Sequence, residues 1–255
     1  MQVYLGEYEN APKDSAKKFK RAVKSFLAMK DERTQLVIVS DGCQEAHAIY
    51  FKDFAKYENI KYIFLEKTTP KMNDEWNGDM LSRYQRVAPR QLARQVVEGN
   101  VVAYLDADDF LLPNASEIIR KAWRDITLKG RPVKWAVTNR WYDSEKIDKY
   151  IDNTNYHGDN YGFGSYSIKG PAEKIKGLTG KWYEMGLDED NKIAVHACNF
   201  THMSNIDIKW RDSIYDGSTG KADNTFWVKL KSTGDGFMIS KPYYVRCHHS
   251  NLWDM

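Results

Sequence analysis

Apolar positions along the chain fall into short solid runs separated by stretches of helical periodicity. The run Leu36–Val39 in "QLVIVSDG" is unbroken and β-branched, and it stops at Asp41 and Gly42. Continuous rather than alternating apolarity predicts a strand covered on both faces. Val3–Leu5, "KYIFLE" and "VVAYL" read as further strands. Between them lie helical patterns. In "KDSAKKFKRAVKSFLAMK" the residues Phe19, Val23, Phe26 and Leu27 recur at helical spacing, with Asp14 or Ser15 able to cap the start. A second helix is expected over Ala46–Tyr57, and a third over Met80–Glu98, where Pro89 demands a break or a fresh start and Gly99 ends it. This β-α-β-α-β-α-β rhythm predicts a parallel sheet with helices on its faces.

Beyond "VVAYL" the rhythm weakens. A helix over Ala115–Lys129 and a strand "VKWAVTN" are still legible, but positions 140–190 are rich in Tyr, Trp, Gly and Asp with little periodicity. Such aromatic content suggests loops and short antiparallel strands rather than disorder. Order should resume at "KIAVHACNF", followed by a helix over Ala222–Lys231 and strands in "GFMIS" and "YYVRCHH". With no repeat or low-complexity linker, the expectation is one α/β domain over 1–255, its first half Rossmann-like (1–130) and its second elaborated (131–255).

The composition of 42 % hydrophobic and 29 % charged residues over 255 positions is that of a soluble globular protein. No apolar run approaches the roughly 18 to 20 residues of a membrane span, and "MQVYLGEYEN" has no signal-peptide pattern. A cytoplasmic protein is therefore expected. Cys43, Cys198 and Cys247 are too few and too scattered for a disulfide framework or a thiolate zinc site. The net charge of +3 is too mild to announce a nucleic-acid binder, yet Lys13, Lys17, Lys18, Lys20, Arg21 and Lys24 cluster on the first helix. That cluster reads either as a solvated face or as a surface for a polyanion.

Chemistry concentrates in "VVAYLDADDFLLP", where a buried-strand pattern ends in Asp106, Asp108 and Asp109. Three adjacent carboxylates repel, so a cation, a basic neighbour or open water should compensate them. In an open parallel sheet, ligands bind at the carboxyl ends of strands. Topology alone thus puts Asp41 and this cluster on one edge. A D-x-D spacing can hold Mg²⁺ or Mn²⁺ together with substrate phosphates, but the same residues could merely favour the following helix dipole. A D-x-D after an apolar strand is also where haloacid dehalogenase-like phosphatases carry their nucleophile, although Phe110 and the three preceding strands depart from that pattern.

The ordered set "VIVSDGCQEA", then "APRQLARQVVEGNVVAYLDADDFLLP", resembles the GT-A-fold glycosyltransferases, especially the large inverting family two. The resemblance covers roughly residues 1–130. It departs at Gln91, where the family usually has Asn, and at Pro89. It implies that Asp41 contacts the nucleotide base, Arg90 holds the nucleotide, Asp106 reaches the ribose, and Asp108 binds Mn²⁺ or Mg²⁺ on the diphosphate, supported by Asp109. By the same resemblance Asp223, in "GKADNTFW", is the catalytic base, with Asp212 as substitute. His248 or His249 in "VRCHHSN" would add a ligand to the metal or diphosphate. His157, His196 and His202 lack ligand-like spacing and read as structural. The implied donor is a UDP-linked sugar, transferred with inversion to an acceptor hydroxyl. Trp135, Trp141, Tyr142, Trp182 and Tyr183 are candidate platforms for the acceptor. Two acceptor classes fit: a glycan or lipid-linked saccharide, or hydroxylated or hydroxymethylated bases of DNA, as in bacteriophage DNA-modifying sugar transferases acting in a host cytoplasm. A sugar-nucleotide-binding protein without catalysis is the alternative from another class.

Overall fold

The computed structural model describes residues 1–6, 14–66, 89–130, 132–138, 141–143, 182–183, 199–206, 230, 233–239 and 243–246. The predicted helix over 222–231 and the catalytic and metal candidates Asp212, Asp223, His248 and His249 lie outside these residues, apart from position 230.

Strand β1 (Gln2–Val3) leads to helix α1 (Ser15–Ala28), then β2 (Leu36–Asp41), α2 (Gln44–Ile49) and β3 (Ile60–Leu65). The three strands form a parallel sheet in the order β1-β2-β3, with Ile38 opposite Tyr62 and Asp41 opposite Leu65. Every residue of β2 is buried, as its solid apolar run requires. Helix α1 buries Phe19, Ala22, Val23 and Phe26, and its Phe19, Val23 and Phe26 share a core with Ile38, Ile49, Tyr50 and Phe54. Neither predicted cap of α1 forms. Asp14 stands at φ 54° and makes no side-chain cap, because side-chain capping needs an extended backbone there. Ser15 instead gives its hydroxyl to the Leu5 carbonyl at 3.2 Å.

The second helix also differs from its pattern. After Ile49 it widens into a π-helical turn over Tyr50–Phe54, closed by the Ala55 N–H on the Tyr50 carbonyl at 2.9 Å. Tyr50 stacks flat on Tyr62 of β3 at 4.2 Å, so the turn is held from the sheet side.

A helical run α3 is described over 89–95, followed by β4 (Val101–Ala103), β5 (Phe110–Leu111) and α4 (Ala115–Leu128). Then come β6 (Trp135–Thr138), β7 (Trp141–Asp143), β8 (Trp182–Tyr183), β9 (Asn199–Met203), β10 (Gly236–Ile239) and β11 (Tyr244–Arg246). Here the sequence reading needs correcting. β4 was expected beside the N-terminal strands, but its described partner is β9, antiparallel, in the order β10-β6-β9-β4. Apolar runs encode burial and carry no information on a neighbour's direction. A third sheet runs β5-β11-β7-β8.

Trp135 is corrected too. It is 2 % exposed and its indole N–H donates to the Gly234 carbonyl at 2.8 Å, so it is core and offers no sugar platform. Its register partner is Gly236, where an added Cβ would come within 2.3 Å of the ring. Any side chain there would have to displace the buried indole. Trp141, Tyr142, Trp182 and Tyr183 fall in the paired strands β7 and β8.

On β9, opposite Val102 of β4, His202 is fully buried. A carbonyl can only accept, so His202 Nδ1–H donates to Met203 O at 2.7 Å and Nε2 accepts the Tyr104 hydroxyl at 2.9 Å. Burial, aided by the nearby Arg94 cation, pulls this imidazole down from 6.5 to about 4 against the opposing Met203 bond. The folded state therefore binds this proton less readily than the unfolded state. Its stability contribution is complete above the unfolded value and is lost as pH falls from 6.5 toward 4. Urea unfolding should show about 2 kcal/mol less stability at pH 5 than at pH 7 from this group. In His202→Gln that slope should flatten, and an unchanged slope would contradict the assignment.

Candidate functional site

The three carboxylates sit on a β-turn. The Asp109 N–H donates to the Asp106 carbonyl at 3.3 Å, which places Ala107 and Asp108 at the turn's tip. Leu105, just before it, is 6 % exposed and anchors the turn in the core. The turn is followed by β5, and α4 begins only at Ala115 with Asn114 at its N-cap position. Asp108 and Asp109 are thus no helix cap, and the simplest structural explanation of the motif falls away.

Each acidic residue has its own company. Asp106 is exposed and faces Arg90 Nη2 at 3.6 Å, while the Arg90 side chain is mostly buried. Asp109 is only 2 % exposed and accepts the Tyr244 hydroxyl proton at 2.5 Å. The same hydroxyl oxygen accepts the Asp106 N–H at 3.4 Å. At Asp108, which is half-buried, the backbone carbonyl accepts from Arg21 Nη2 at 2.7 Å. Arg90 thus answers the Asp106 carboxylate and Tyr244 the Asp109 carboxylate, while Arg21 holds the backbone of Asp108.

Asp41 ends β2 and is 6 % exposed. The chain then turns through Gly42 at φ 67°, a left-handed conformation that favours glycine. Ser40 Oγ donates to the Cys43 carbonyl at 3.2 Å, and Cys43 Sγ accepts the Leu5 N–H at 3.3 Å. These bonds fasten the turn after β2 to the chain just past β1. The structure therefore joins Arg90 to Asp106 directly and holds Asp41 at the carboxyl end of its strand.

Among the described residues, no group of three or more His, Cys, Asp or Glu side chains is arranged to hold a metal ion. The donor set still suits a hard cation. Mg²⁺ sites commonly use one or two carboxylates and complete their shell with phosphate oxygens and water. Asp106 and Asp108 supply such oxygens on one turn, whereas Asp109 is occupied by Tyr244.

The basic face of α1 is thinner than its sequence suggests. Lys18 is 3 % exposed, Arg21 points to the Asp108 turn and Lys20 pairs with Asp53 at 2.9 Å. Lys17 and Lys24 are exposed, and Lys13 lies outside the described residues. The sequence reading missed Arg21 and Tyr244 as site residues. Arg21 was hidden inside a charge run, and Tyr244 by its distance along the chain.

No family model matches this sequence, and no curated protein does. Solved structures do match. The chain is similar to the 1–349 segment of S. aureus TarS in complex with UDP, with a TM-score of 0.56 at 14 % identity, covering 96 % of this chain and 58 % of that one. The fold is similar to that of TarS. Against the TarS segment in complex with UDP-GlcNAc the TM-score is 0.52 at 13 % identity, over 93 % of this chain and 56 % of that one. Against the TarS 1–349 structure without a named ligand it is 0.53 at 14 % identity. The present chain thus spans a little over half the length of these TarS chains. The described residues form a mixed α/β structure with a parallel sheet and helices. Among the described residues no helix is long and apolar enough to cross a membrane.

Proposed function

We propose that this protein is a glycosyltransferase that moves a sugar from a nucleoside diphosphate sugar, most simply a UDP-linked one, to an acceptor hydroxyl with inversion. The observation that carries this reading is the fold match, over 96 % of the chain, to a protein crystallised with UDP. The Asp106–Asp109 turn with its Arg90 partner supports it. In this reading Asp41 contacts the base, Arg90 and Asp106 hold the nucleotide and ribose, and Asp108 binds a divalent cation with help from His248 or His249. The cation's chemistry is to neutralise charge on the leaving diphosphate. Asp223 takes the acceptor proton as the acceptor oxygen bonds to the anomeric carbon and the bond from that carbon to the diphosphate breaks. A phosphatase reading of Asp106 is disfavoured by the same fold match.

Calorimetric titration should show UDP binding in MnCl₂ that weakens strongly in EDTA. At a hundredfold excess over its dissociation constant, UDP should stabilise the protein by about 2.7 kcal/mol. No binding and no stabilisation at millimolar UDP would end the proposal. The acceptor is either a glycan or a modified base in DNA. The inward and paired positions of Lys18, Lys20 and Arg21 weaken the DNA case, which still predicts retention on DNA at low salt that collapses steeply as salt rises. A donor screen with intact-mass readout of both acceptor classes separates them.

A further inference from the structure

Helix α1 reaches the carboxylate turn and the strand that follows it through two side chains one turn apart. Arg21 Nη2 donates to the Asp108 carbonyl at 2.7 Å, and its guanidinium lies 5.4 Å from the centre of the Phe110 ring. Ser25 Oγ accepts the Leu111 N–H at 3.0 Å and donates to the Ala22 carbonyl at 2.7 Å, so it holds β5 just past the turn. The peptide unit joining Asp108 to Asp109 is consequently held at both poles. Its N–H meets the Asp106 carbonyl at 3.3 Å, and its C=O meets Arg21 over the shorter distance. Phe110 is 6 % exposed, which gives the guanidinium a rigid surface to lie on. An arginine can stack and donate at once because its fork is planar, whereas a lysine offers a point charge on a flexible stem.

We propose that Arg21 is a positioning residue for Asp108: by fixing the Asp108–Asp109 peptide plane it sets the direction from which the Asp108 carboxylate meets a divalent cation and diphosphate. This rests on the nucleotide-sugar reading above. Arg21 acts through the backbone of the turn.

The test is calorimetric titration of UDP into the full chain, once with MnCl₂ and once with EDTA, for wild type, Arg21→Gln, Arg21→Lys, Ser25→Ala and Lys24→Ala. Groups that orient a metal ligand typically matter about 10- to 100-fold in affinity. Arg21→Gln should lose that factor in the MnCl₂ arm while its EDTA arm stays at the wild-type value. Arg21→Lys should recover part of the loss, Ser25→Ala should shift in the same direction, and Lys24→Ala, on the exposed face of α1, should match wild type. Circular dichroism and melting temperature establish that each variant is folded. Should Arg21→Gln not fold, Arg21→Lys and Ser25→Ala carry the same comparison. Wild-type affinity in the folded variants, or equal losses in both arms, overturns the positioning role and leaves the nucleotide-sugar reading standing. A wild-type protein that ignores UDP in both arms overturns the two together. A wild-type affinity indifferent to MnCl₂ overturns the positioning role and the cation assignment of Asp108, and leaves only UDP binding standing.

Discussion

Asp223→Asn is expected to reduce sugar transfer by about 100-fold or more while leaving UDP-sugar binding unchanged. A positioned base contributes roughly 10² to 10⁴-fold when it takes a proton in the transition state, and asparagine keeps the shape of the side chain but cannot accept that proton. The carboxylates of the described site are poorly suited to the task. Asp109 and Asp41 are 2 % and 6 % exposed, and Asp106 faces the Arg90 guanidinium. A base supplied from the second half of the chain, where Asp223 precedes Phe226 and Trp227, fits the proposed chemistry. Radiolabelled donor turnover with and without acceptor measures the effect. The outcome also separates an enzyme from a sugar-nucleotide-binding protein: turnover unchanged by the substitution sinks the base assignment and turns attention to Asp212.

The largest expected loss of stability is at Phe19. Its side chain is fully buried and meets Phe54 edge-on at 6.4 Å, with the rings 79° apart. Phe19→Ala removes the ring's transfer energy and leaves a cavity, together about 3 to 5 kcal/mol. That is a large part of the roughly 5 to 15 kcal/mol by which a typical domain is stable. Urea unfolding should show the midpoint falling accordingly, while Leu128→Ala at a position 78 % exposed should stay within about 0.5 kcal/mol of wild type. A Phe19→Ala loss under 1 kcal/mol would mean that α1 is not docked as described. Because α1 carries Arg21 and Ser25 to the carboxylate turn, the variant should also bind UDP more weakly.

Much of the first half was legible because its signals are local. β2 and β3 announce themselves as solid apolar runs, α1 and α4 as clean stripes, and the acidic turn as the abrupt end of such a run. What could not be read depends on residues far apart in sequence. Arg21 meets Asp108 across 87 positions, and Tyr244 meets Asp109 across 135. Nothing in either local pattern encodes those meetings. The antiparallel pairing of β4 with β9 is of the same kind. The failed Asp14 cap has another cause, a backbone angle imposed on a residue whose type suits capping.

The Tyr244 bond has a bearing on the order in which the molecule comes into being. Asp109 and its hydroxyl donor are 135 positions apart, and a ribosome adds about 5 to 20 residues per second. The acidic turn is therefore synthesised on the order of ten seconds before the tyrosine that accompanies its buried carboxylate. Arg21 and Ser25, by contrast, already exist when the turn emerges. Arg90, the partner of Asp106, exists by then as well, so the buried Asp109 carboxylate is the part of the turn that gains its partner only when the last strand arrives.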